Sequence, residues 1–121
     1  IMIWDQDGNY IDQWTQFGRP SGIYIDHTDT IYVADSESWG PENPGWKKGI
    51  RVGSARTGQV HYFLEDIESR DMEHSGAEAV GVDGFGNIYG GVVRRQMLER
   101  HEPQAMQPTR AATWVDPGED R

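Results

Sequence analysis

An all-β fold built from repeated antiparallel hairpins is what the sequence predicts, and three observations predict it. The first is an internal repeat: GRPSGIYIDHTDTIYVAD (residues 18–35) returns in weaker form as SGAEAVGVDGFGNIYGGV (residues 75–92). The second is alternation. In each copy an apolar, β-rich run ends in Asp (Asp26, Asp83), passes a short polar or glycine-bearing turn and restarts as Ile-Tyr. The third is spacing: Asp26 and Asp83 lie 57 residues apart, and Gly8 of DQDGNYIDQW lies 50 from Gly58 of ARTGQVHYF, so the period is about fifty with variable loops. Hairpin repeats of that period point to propeller blades, four-stranded antiparallel meanders that bury both faces only by stacking around a channel. A chain of 121 residues holds a partial propeller of about two to two and a half blades.

Residues 1–4 are apolar and predict a strand, Asp5-Gln6-Asp7-Gly8 carries an Asp-Gly hairpin signal, and residues 9–14 alternate as the partner. With A the strand lining the channel and D the outermost, these are C and D of a blade that lacks A and B. The expectation is a fragment of a longer propeller, or exchange of strands between chains. Residues 15–20 cross to the one complete blade, with A at 22–26, B at 30–35, C at 49–55, a turn at 56–58 and D at 59–64. Between B and C, SESWGPENPGWKK (36–48) is too rich in Pro and Gly for regular structure and carries Trp39 and Trp46. Residues 65–75 read as a loop with at most one helical turn, and 77–83 and 87–93 as the next A and B. Residues 96–102 read as strand C; local propensity favours helix there, and the repeat is given precedence. The propeller part is thus 1–102. The tail, 103–121, is rich in Pro, Gln, Ala and charge, and its Thr113-Trp114-Val115 is a candidate edge strand.

Arg19-Pro20-Ser21-Gly22-Ile23-Tyr24-Ile25-Asp26, followed by Ile31-Tyr32-Val33-Ala34-Asp35, resembles the NHL repeat, whose blades begin P-x-G-(apolar)-x-(apolar)-D and continue I-Y-V-A-D. The resemblance covers roughly residues 1–102 and is to a carboxy-terminal-like portion of bacterial-like six-bladed propellers. It is distantly similar to peptidyl-hydroxyglycine lyase and gluconolactonase-like propellers. The resemblance implies a non-catalytic binding module; the alternative it implies is a partial metal-dependent lyase or lactonase-like enzyme acting at the channel mouth. The lyase relatives hold zinc with channel-facing His. The corresponding positions here are Ser21 and Glu78, which disfavours zinc.

Composition narrows the partners. With 20 acidic against 11 basic residues and a formal charge of −9, the chain is a poor match for a phosphate backbone, so nucleic acid is not expected. No apolar stretch approaches the length of a membrane span, no signal peptide opens the chain, and the absence of Cys leaves redox compartment unread. Mean hydropathy is −0.76, yet five Trp, five Tyr and three Phe supply large apolar areas for a core.

In such a meander the A–B and C–D turns share one end, and the B–C loops and D–A crossings share the other. The tight turns (5–8, 27–29, 56–58, 84–87) then fall together, and the long segments 15–20, 36–48 and 65–75 form the opposite, candidate binding face. Ser21 and Glu78 are equivalent positions near the channel mouth, with Asp35, Ser36, Glu37, Arg94 and Arg95 close by. The candidate ligand set is therefore Ser21, Asp35, Glu37, Trp39, Trp46, Glu78 and Arg94. Of these, Glu78 and Asp35 are candidate metal ligands of a kind that suits Ca²⁺ or Mg²⁺. No other cofactor is indicated. The repeat Asp residues (Asp26, Asp35, Asp83) carry a second reading, the satisfaction of turn amides. His27, His61 and His101 show no ligand spacing, and His74 alone sits on the loop face. No Ser/His/Asp set or phosphate loop is visible, so no catalytic residue is assigned. Partial blades leave apolar faces such as those of Ile23, Ile25, Val80 and Val82, which predicts a homo-oligomer, a pair being favoured over a three-chain ring.

Overall fold

The computed structural model describes residues 1–69 and 75–103. Its regular structure is antiparallel sheet, with one turn of 3₁₀ helix at Gly40–Glu42. β1 (Met2–Trp4) and β2 (Tyr10–Gln13) form a hairpin; β3 (Pro20–Ile25), β4 (Thr30–Asp35), β5 (Gly49–Ser54) and β6 (Val60–Glu65) form a four-stranded sheet in chain order. β7 (Ala79–Val82), β8 (Ile88–Val92) and β9 (Met97–His101) form a three-stranded sheet. Strand order and antiparallel pairing follow the sequence expectation. In β9, cross-strand pairing with β8 outweighs the helix propensity of QMLER, since Met97 through His101 all find register partners on β8. The short 3₁₀ turn was not expected. Pro41 inside it supplies a backbone pre-set for that turn. The candidate edge strand at 113–115 lies outside the described residues.

Three of the hairpins are closed by one local device. Asp5, Asp26 and Asp83 each donate their backbone N–H to the carbonyl four residues on, at 2.9, 3.0 and 3.1 Å. Each accepts at its own carbonyl from the N–H three residues on, at 3.1, 3.1 and 3.2 Å. The residue at that third place, Gly8, Asp29 or Gly86, is left-handed, with φ of 84°, 61° and 84°. Only glycine adopts that region freely, and Asp is among the few side chains that tolerate it. The Asp carboxylate then caps the turn from inside, accepting amides two and four residues on. This explains why each apolar run in the repeat ends in Asp.

The central sheet is covered on both faces. On one, Ile31 and Val33 pack with Phe17, Ile1, Trp14, Ala55 and Val60, which docks the β1–β2 hairpin. On the other, Ala34, Ile50, Val52 and Leu64 pack with Ala77, Ile88 and Val92 of the third sheet. Each such fully buried Ile, Val or Leu contributes about 1.5–3 kcal/mol. Val80 and Val82, expected to lie uncovered, pack against this second cluster. Their counterparts Ile23 and Ile25 remain about half exposed, at 48% and 51%. The close approach of the second and third sheets depends on Gly22, where a Cβ would lie 2.7 Å from the Glu78 carbonyl oxygen.

Candidate functional site

The turns at the ends of β3 and β5 meet at one end of the central sheet. There Ala55 N–H donates to the Asp29 carbonyl at 2.8 Å, and Arg56 Nε lies 2.7 Å from Asp29. At the opposite end, the chain after β4, the chain before β5 and the chain after β6 come together: Gly76 N–H reaches the Ser36 carbonyl at 3.0 Å and Asp66 N–H the Lys48 carbonyl at 2.9 Å. The first crossing segment departs from the expected sorting. Gly18 lies under Asp35, but Gln16 Nε2 donates to the Gly58 carbonyl at 2.7 Å, so residues 15–20 run across the sheet face rather than along one end.

Two guanidinium groups, one buried and one partly buried, organise the loop end. Arg51 sits on β5 opposite Val33 and is fully buried, with NH1 2.7 Å from Asp35 Oδ2 and NH2 donating to the Lys47 carbonyl at 3.0 Å. Its Cζ lies over the rings of Trp46 (4.7 Å to the centroid) and Phe63 (4.4 Å), so the charge is held by a carboxylate and two π faces. Asp35 Oδ1 accepts the amides of Glu37 (3.3 Å) and Ser38 (2.9 Å), which folds the start of the 36–48 insertion over the sheet end. Gly18, at φ 78°, is required here because a Cβ would fall 1.9 Å from Asp35 Oδ2.

Arg95, between β8 and β9, makes the second centre. Its guanidinium reaches Asp66 (3.0 and 2.9 Å), Glu68 (3.0 Å) and Glu99 (2.5 Å), joining the loop after β6 to the third sheet. The hydrogen bonds to Asp66 hold its pKa well above the ordinary arginine value, followed by those to Glu68 and Glu99. This centre is a bidentate, three-carboxylate clamp.

The sequence-expected residues separate into two groups. Ser21 shares a hydrogen bond with Ser36 Oγ, Asp35 is locked to Arg51, Trp46 stacks on that same guanidinium, and Glu78 accepts the Ser75 hydroxyl at 2.9 Å. Glu37 and Arg94 are exposed, while Trp39 is half-buried ahead of the 3₁₀ turn, its carbonyl accepting the amides of Glu42 and Asn43. The structure therefore brings Asp35 and Trp46 onto one centre through Arg51, a residue the sequence reading did not select. The signal for it was Arg51 on the strand face that carries Phe63 and Val33, where a solvated side chain does not belong.

Both Asp35 oxygens are engaged by Arg51 and two amides, and among the described residues no three His, Cys, Asp or Glu side chains are grouped as a metal site. His74 lies outside the described residues. The donor set does not fit a divalent cation without first breaking the Arg51 pair. Among the described residues no helix is long and apolar enough to cross a membrane. Comparison with family models, curated proteins and solved structures finds no match to this chain.

Proposed function

We propose that the three sheets are successive blades of an NHL-type β-propeller and that the chain is a non-catalytic binding module, presenting its partner-binding surface at the loop end. The observation that carries the reading is the Arg51–Asp35 centre. It engages the Asp35 carboxylate in holding the start of the 36–48 insertion, while Glu37 and Arg94 are exposed and Trp39 is half-buried beside them. A pre-ordered loop with a half-exposed Trp and charges of both signs suits a peptide or protein surface. The stacked repeat with its three Asp-capped turns supports the blade assignment. On this reading the chain also associates with copies of itself, preferentially as a pair.

The alternative is a metal-dependent lyase or lactonase-like enzyme using Glu78 and Asp35 at the channel mouth with Ca²⁺ or Mg²⁺. It requires Asp35 to leave Arg51. Calorimetric titration with Ca²⁺ and Mg²⁺, on the wild type and on Glu78→Gln and Asp35→Asn, separates the two. Binding of peptides from an array that is lost in Trp39→Ala and Glu37→Lys, with no carboxylate-dependent metal uptake, is expected. Saturable metal binding abolished by either carboxamide variant would replace the module with the enzyme.

A further inference from the structure

The carboxylates withdrawn from water at the loop end carry counter-charges, with one exception. Arg51 holds Asp35, Lys47 lies 3.4 Å from Glu65, and Arg95 takes up Asp66, Glu68 and Glu99. Glu78, half-buried just ahead of β7, forms no ion pair with a described basic side chain. A partly desolvated charge without a partner is unfavourable, and a ligand of opposite sign relieves it.

Three hydroxyls surround this carboxylate. Ser75 donates to Glu78 Oε1 at 2.9 Å, and Gly76, next in the chain, donates its N–H to the Ser36 carbonyl at 3.0 Å. The Ser36 hydroxyl shares a hydrogen bond of 2.5 Å with Ser21, whose neighbour Gly22 abuts the Glu78 main chain. Two hydrogen-bonded pairs, Ser21–Ser36 and Ser75–Glu78, therefore sit side by side where the second and third sheets meet. Each pair already uses one hydroxyl proton internally, so the cluster is short of donors and rich in lone pairs, with the second oxygen of Glu78 still able to accept.

We propose that Glu78, Ser21 and Ser36 receive the side-chain ammonium of a lysine on the partner. The inference rests on the partner-binding reading of the loop end and names the group recognised there. One carboxylate matches one positive charge, whereas a divalent cation asks for more charge and more oxygens. An ammonium offers three separate donors to three separate acceptors; a guanidinium fork needs both oxygens of one carboxylate, and Ser75 already occupies one. Ser36 is 1% exposed, so its hydroxyl is reached by a slim group on a long stem, which a lysine has and a main-chain amine does not. Ser36 also opens the insertion that carries Glu37 and Trp39, which sets the lysine beside the proposed partner surface.

The probe is Nα-acetyl-lysine methylamide, titrated into the whole chain with chelator present and followed by amide chemical shifts. Its Nε-acetylated form, the arginine analogue, and glycine methylamide, which carries a main-chain amine, are the comparisons. Saturable shifts at residues 21, 36 and 75–78 are expected in the millimolar range. Glu78→Gln, nearly isosteric at a half-buried position, is expected to weaken binding at least about tenfold. Ser21→Ala, which removes an acceptor and leaves the charge, is expected to weaken it by a smaller factor, and Arg56→Ala, at the opposite end of the sheet, to bind normally. No saturation in the millimolar range, equal binding to Glu78→Gln, equal binding of the Nε-acetylated probe, or a preference for the arginine or glycine probe would overturn the proposal. Array peptides that bind through Trp39 whatever their lysine content would also overturn it while leaving the binding module standing, so the two readings fail separately.

Discussion

Asp83 and Asp26 each accept two turn amides and a tyrosine hydroxyl at equivalent places, and these bonds predict how the groups titrate. Asn87 Nδ2 (2.8 Å) and Tyr89 OH (2.8 Å) donate to Asp83 Oδ2, and the amides of Phe85 and Asn87 to Oδ1, which together lower its pKa from 3.8 to about 2. A depressed carboxyl stabilises the fold fully above its ordinary value and loses that contribution as pH falls through about 2. Asp83→Asn is therefore expected to flatten the acid-unfolding curve between those two values. Tyr32 shows the opposite sign. Burial, then its hydrogen bond to Asp26, raises its pKa from 10.0 to about 12, so its contribution is complete below 10.0 and disappears as pH rises through about 12. Ultraviolet titration of the phenols is expected to show a late step near 12 that Tyr32→Phe removes. A third residue-scale expectation concerns Arg51. Asp35→Ala leaves a fully buried guanidinium without its carboxylate and is expected to cost about 3–5 kcal/mol in urea unfolding, while Asp35→Leu combined with Arg51→Met recovers much of that loss. The turn Asp residues were legible in the sequence because a local i, i+2, i+4 pattern makes them. The Arg51 centre was not, because its partners are brought together only by the β4–β5 register and by an insertion with no periodicity.

At the scale of elements, two glycines on equivalent first strands are expected to behave differently. Gly22 on β3 faces the Glu78 main chain at 2.7 Å, and a carbonyl cannot swing aside as a side chain can. Gly22→Ala is expected to push the second and third sheets apart and to destabilise by about 1–3 kcal/mol. Gly81 on β7 has nothing within 4 Å of a built Cβ, so Gly81→Val is expected to be neutral or mildly stabilising through strand propensity. Thermal unfolding of the two variants side by side checks both; a neutral Gly22→Ala would mean that the sheets are not in close contact there. Strand positions were readable from alternation and from the Asp-capped turns, including β9, where the repeat and helix propensity disagreed and cross-strand pairing decided. The path of residues 15–20 was not readable: Gln16 leaves the loop end to bond the Gly58 carbonyl, a long-range choice that no local pattern encodes.

At the scale of the whole molecule, the outer sheets present apolar groups that the core does not use. Met2, Trp4 and Tyr10 are exposed on the first hairpin, with Trp4 and Tyr10 stacked edge to face at 5.5 Å, and Leu98 is 67% exposed on the third sheet. Beyond β9 no further strand pairs with the third sheet among the described residues. Exposed apolar faces of this kind are covered by association of copies, and the exposed area is expected to make the mass rise with concentration over the micromolar range. Light scattering after size-exclusion chromatography measures it. Trp4→Glu and Leu98→Glu, each on an exposed position that leaves the two core clusters intact, are expected to return the protein to the mass of one chain. Self-association unaffected by both variants, but removed by Ile23→Asp, would place the contact at the half-exposed Ile23 and Ile25 instead. A single-chain mass at every concentration would mean that these faces do not bind one another, and the self-association reading would fall.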